Sequence, residues 1–178
     1  MTPSRRLLQH FLAALAYRTQ KAVRGAPAAF GDFQAGANVR SPRELVRHMT
    51  SVTGYARTML HGGTFRPQPL PTLEAELERF HATLAALHDD FADDSLTAVI
   101  TDEQFLQGPL ADAMTHAGQL AMLRRLSGDP VPPEDFIHAH VRTDDVGADQ
   151  REPASPDPGW EPNLPSGSEG PGSERAGT

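Results

Sequence analysis

The sequence contains no cysteine. Disulfides, thiolate metal sites and a protein-borne thiol nucleophile are therefore excluded. Basic charge is also short, with 16 Lys and Arg against 23 Asp and Glu and a net charge of −7. Eight acids and two arginines lie between Thr143 and Thr178, so that stretch carries −6 and residues 1–142 only −1. A nearly neutral body lacks the basic face that phosphate neutralisation needs, which argues against nucleic acid as a partner. No apolar run approaches the length required to cross a bilayer. Residues 1–19 lack the long apolar core and small-residue cleavage site of a signal peptide. The expectation is a cytoplasmic protein with no membrane partner. A serine elbow, a phosphate-cradling glycine loop and any internal repeat are also missing.

What is present is helical punctuation. With 178 residues the chain has length for one ordinary domain. Ser4 is placed to cap a first helix running to about Arg24, where Gly25 and Pro27 end it. Ala28 to Arg40 has no helical period and reads as a loop, with Phe30 and Phe33 tucking it over an end of the bundle. Ser41-Pro42-Arg43-Glu44 is a capping box with proline at the first helical position. Behind it Leu45, His48, Met49, Val52, Ala56 and Met59 recur at helical steps, so His48 is expected to point inward. Gly62-Gly63 stops this helix. Thr72 caps a third, whose buried stripe is Leu73, Leu77, Phe80, Leu84, Leu87 and Phe91. Ala92 to Gln107 is a connector in which Ser95–Ile100 could be a brief strand or irregular.

The last helix carries the chemistry. Pro109 suits its first position and Gly128 the residue past its end. Asp112, His116, Gln119 and Leu123 fall on one narrow stripe at about 100° per residue. Phe136–Val141 alternates as a short extended arm would. Beyond it, six glycines and six prolines in residues 143–178 leave Val146, Trp160 and Leu164 as the few large apolar residues. That segment is expected to be disordered, because it cannot recover its ordering entropy by burial. The reading is all-α: a four-helix bundle with its arm over residues 1–142, then a Pro/Gly/acid-rich tail over 143–178.

A bundle builds its sites from inward-facing residues of facing helices. His48 from helix two, with Asp112 and His116 four apart on the last helix, forms a candidate three-ligand cap for zinc, iron or nickel, with open positions for water or substrate. Gln119, one turn on, could orient a ligand or the water; Thr115 and Tyr55 are nearby candidates that the sequence does not fix there. The plainer account stays open beside it. A histidine on an apolar face is more often a hydrogen-bonded core residue, and Asp112 in a first turn is favoured by the helix dipole and could simply pair with His116. His138 and His140 would share a face on a strand, but read more simply as surface residues, as His10, His61, His81 and His88 read as boundary ones.

Ser41-Pro42-Arg43-Glu44-Leu45-Val46-Arg47-His48 resembles the start of helix two in the DinB-like (YfiT-like) bundle proteins. Leu110 to Leu120, with its His-Ala-Gly-Gln-Leu run, resembles their last bundle helix, and Phe136 onward the extension of some small bacterial members. The resemblance implies a four-helix bundle holding a divalent ion on three histidines, one on helix two and two on the last helix. His48 and His116 match that pattern, whereas Asp112 stands at the first position of the usual His-x-x-x-His pair. It implies either a two-histidine, one-carboxylate variant or a site with weakened metal binding. By the same resemblance, the expected activity is group transfer on a small-molecule substrate with a low-molecular-weight thiol such as bacillithiol or mycothiol. A metal-dependent hydrolase and a non-enzymatic, stress-related bundle are the alternatives, and apolar faces on several helices leave room for a homodimer.

Overall fold

Helix boundaries in the computed structural model, which describes residues 1–161, follow capping chemistry more closely than apolar periodicity. Helix α1 (Pro3–Val23) starts one cap earlier than expected. The Thr2 hydroxyl, not that of Ser4, accepts from the Arg5 N–H at 3.2 Å, and Pro3 takes the first position, where its missing N–H costs nothing. Gly25, at φ +64°, turns the chain out of α1 in the left-handed region that L side chains avoid. Helix α2 (Pro42–His61) opens on the expected reciprocal box, with Glu44 N–H to Ser41 Oγ at 3.3 Å and Ser41 N–H to Glu44 Oε2 at 3.0 Å. Helix α3 (Leu73–Ala92) is capped by Thr72.

The last helix does not begin at Pro109. Thr101 and Gln104 form a second capping box, so helical backbone starts at α4 (Asp102–Phe105), passes through a π turn (Leu106–Leu110) and continues as α5 (Ala111–Leu126). Pro109 has no N–H to donate and its ring disrupts a regular ladder, and the widened turn accommodates both. The connector before it is irregular rather than a strand, tied down by Val99 N–H to the Met59 carbonyl at 2.9 Å.

Four long helices pack in the cyclic order α1–α3–α2–α5, and no strand occurs among the described residues. Leu12, Met49, Phe80, Leu84, Leu87, Leu110 and Leu120 are fully buried between them. Each such side chain contributes about 1.5–3 kcal/mol through burial. Within the expected loop, Ala28–Asp32 forms a 3₁₀ turn whose Phe30 is buried, and Phe33 packs beside the core. On α2 the inward stripe is rotated from expectation. Leu45, Met49 and Ala56 are buried with Val46, Thr50 and Thr53, whereas His48 and Val52 lie half-buried on the flank. The two threonines are legible only in three dimensions, where each hydroxyl donates to a carbonyl of the preceding turn.

Residues 143–161, the first part of the expected tail, run along the bundle, with Val146 and Gln150 buried against it. Body side chains satisfy this segment's backbone. Arg24 donates to the Gln150 and Arg151 carbonyls and pairs with Glu152 at 2.7 Å, and Glu134 accepts the Ala154 N–H at 3.1 Å. Composition counts apolar area and therefore misses docking by charged side chains. Phe136–Val141 makes turns rather than an extended arm, with the Arg18 guanidinium 3.8 Å above the Phe136 ring. The rest of the expected tail, 162–178, lies outside the described residues.

His81 fixes this strap and is not a boundary residue. It is buried, and its Nδ1 lies 2.9 Å from the Val146 carbonyl, to which it donates. Its Nε2 is buried without a partner. Burial pushes the imidazole pKa below its ordinary 6.5, only partly offset by that carbonyl and by Asp145. The unfolded chain therefore binds this proton more readily than the folded one. The contribution of His81 to stability is whole above pH 6.5 and is lost as pH falls through 6.5 toward the lowered folded value. Thermal unfolding from pH 8 to pH 5 should show a midpoint that drops below pH 6.5, with a shallower drop in His81→Leu; an equal drop in both proteins would refute this.

Candidate metal centre

Two neighbouring helices bring the predicted residues together. The half-buried flank of α2 that carries His48 faces α5, from which Asp112 and His116 project one turn apart. One donor atom from each of the three lies within 4.8 Å of the others. His116 Nε2 is 3.3 Å from Asp112 Oδ1, and His48 Nε2 is 3.8 Å from Asp112 Oδ2. The two imidazoles meet edge to face with ring centroids 4.7 Å apart. Two ligands at about 2.1 Å from a tetrahedral ion stand roughly 3.4 Å apart, so side-chain shifts of about 1 Å would seat one ion.

The electrostatics suit the same use. His116 is buried, and its Nδ1 lies 2.9 Å from the Gln119 amide oxygen. With Nδ1–H donating there, Nε2 keeps a lone pair directed at the cluster, and this buried atom has no hydrogen-bond partner. An outer partner that fixes the tautomer is the usual support of a ligating histidine. Gln119 is thus a positioning residue for His116. Burial, followed by the charge of Arg40 and then by His116, pushes the His48 pKa down against the pull of Asp112. A neutral imidazole is the form that ligates. Asp112 also loses its dipole explanation. The backbone is helical from Asp102, so Asp112 does not stand at free N–H groups of a helix start.

The other candidates are placed elsewhere. Thr115 donates its hydroxyl to the Ala111 carbonyl, and Tyr55 is exposed. Both line an open groove of about 790 Å³ that reaches Asp112, but neither belongs to the donor cluster. His10 meets Thr143, His61 meets Asp90, His88 approaches Asp89, and His138 and His140 are exposed at the surface. Buried Arg124 holds Asp129 and the carbonyls of Ala22 and Arg24, which is a structural duty.

Sequence reasoning missed the far wall of that groove. Phe65 and Arg66, between the Gly62-Gly63 stop and the Thr72 cap, line it together with residues of the π turn. The available signal was Gly54 in the middle of α2. A Cβ added there would sit 2.2 Å from Phe65 Cδ1, so only glycine lets the ring lie on the helix. Gly54→Ala gains up to about 1 kcal/mol of helix propensity, whereas displacing the ring costs about 1–3 kcal/mol. Urea unfolding should therefore show a net loss of about 1 kcal/mol; a stabilised variant would count against the contact.

No family model, no curated protein and no solved structure matches the chain.

Proposed function

We propose that this chain is a metal-dependent enzyme of the DinB-like kind, catalysing group transfer with a low-molecular-weight thiol as co-substrate and holding a divalent ion at His48, Asp112 and His116. One observation carries the reading: a buried His116 Nε2 without a hydrogen bond faces a second imidazole and the Asp112 carboxylate, which also lines an open groove. When bound there, zinc, nickel or iron would supply Lewis acidity, favouring the deprotonated form of a water or thiol at neutral pH. Gln119 holds the His116 ring in its ligating tautomer, His48 offers a neutral nitrogen, and Asp112 supplies the negative charge. The chain has no thiol of its own, so a thiol-dependent reaction must take one from a small molecule.

Elemental analysis of the purified protein tests the first half of this. About one divalent ion per chain is expected, lost in His48→Ala with helicity retained. A metal-free protein whose His48→Ala variant loses only stability would replace the enzyme with a bundle that has a degenerate site. The half-exposed Asp112 carboxylate leaves water free access to the cluster and supports hydrolysis as the second reading. Activity that survives removal of every small thiol would select it.

A further inference from the structure

The 790 Å³ groove beside the centre has a distinct chemistry. Val52, Tyr55, Phe65 and Pro109 give it apolar and aromatic walls, and Asp112 of the proposed centre is among its lining residues. Its one cation is Arg66, which forms no ion pair and no side-chain hydrogen bond among the described residues. Arg5, Arg24, Arg57 and Arg124, by contrast, each meet a carboxylate at 2.6–2.7 Å. Arg66 stands over this concave surface with its guanidinium free among the described residues, as Arg6 and Arg40 do over smaller ones, but only here do aromatic side chains and the proposed centre line the same groove.

The segment that carries Arg66 is also held firmly. Phe65 lies against Gly54, and Arg79 donates to the Gln68 carbonyl at 2.6 Å. Fully buried Glu76 accepts the Leu70 N–H at 2.8 Å. A proline-rich stretch would not otherwise need a buried carboxylate to fix it. Pinning on both sides pre-positions the backbone that bears the guanidinium, which lowers the ordering cost of binding.

We infer that this groove binds a small aryl oxyanion, with its anionic group on Arg66 and its ring against Tyr55 and Phe65. The inference rests on reading His48, Asp112 and His116 as the reacting centre, and it assigns that centre an anionic aromatic substrate. A guanidinium recognises a planar or tetrahedral oxyanion through paired N–H donors, and the aromatic walls exclude water from one side of the contact.

Benzenesulfonate is a suitable probe because it ligates metals weakly, with methyl phenyl sulfone as its neutral counterpart. Both are titrated into the full chain while the Gly108 and Arg66 amide resonances are followed. Benzenesulfonate should bind roughly tenfold or more tightly than the sulfone, the loss expected when one charge-assisted contact is removed. Arg66→Gln, an exposed substitution, should erase that preference. Gly108→Leu should block both probes, because a side chain at 108 enters open space. His48→Ala should keep the preference, and its metal content reports separately on the centre. No preference in the unaltered protein, or a preference kept by Arg66→Gln, overturns the assignment. A preference lost together with the metal in His48→Ala also overturns it, because the anion would then sit on the ion.

Discussion

Replacing His116 with alanine is expected to abolish tight divalent-metal binding while leaving the helices in place. The ring is buried, and its Nε2 makes no hydrogen bond although Asp112 Oδ1 stands 3.3 Å away. Removing it deletes one of three converging donors, and the remaining pair, His48 and Asp112, stand 3.8 Å apart on different helices. Loss of an outer partner typically costs 10–100-fold in affinity, so loss of a ligand should exceed about 100-fold. Gln119→Ala should fall within that smaller range, since it frees the ring to rotate without removing a donor. Competition against a chromophoric chelator measures both. The order His116→Ala worse than Gln119→Ala worse than wild type is the expected result. Equal binding in all three would mean that the cluster is only a local i,i+4 pair with a neighbouring histidine.

The residues of this cluster could be named from sequence because two strong local signals bracket them. The Ser41–Glu44 box sets the phase of α2, and four-residue spacing sets Asp112 above His116. What could not be named is what depends on distant pairing. Pro109 reads as a helix start because a proline ordinarily breaks a helix already under way; the Thr101–Gln104 box is legible in the sequence, but the π turn that carries the helix past the ring is not. That misplacement also gave Asp112 a dipole role it does not have. Residues 143–161 read as tail because what ties them to the body is hydrogen bonding, donated by Arg24 and His81 and accepted by Glu134, from residues outside the segment. Phe65 and Arg66 were invisible as a groove wall for the same reason: the contact that places them is with Gly54, and the missing Cβ leaves no hydrophobic pattern to read.

Glu76 should give the largest stability effect outside the apolar core. Its carboxylate is fully buried, takes the Leu70 N–H and pairs with the Arg79 guanidinium. Removing one partner of such a network leaves the others unsatisfied, so Glu76→Ala should lose about 3 kcal/mol in urea unfolding. Glu76→Gln keeps an oxygen for Leu70 but not the charge, and should lose about 1–2 kcal/mol. The buried charge itself is a poor source of net stability, since desolvation offsets most of its attraction. A double variant, Glu76→Met with Arg79→Met, should therefore recover most of the loss. It should not recover the fixed geometry of residues 65–71, because the Leu70 amide has no replacement acceptor. Hydrogen exchange at Leu70 should stay fast in the double variant while the unfolding midpoint returns. Recovery of stability without protection would assign Glu76 to holding the wall that carries Arg66. Wild-type protection at Leu70 in the double variant would show that the proline-rich segment holds its place without the carboxylate.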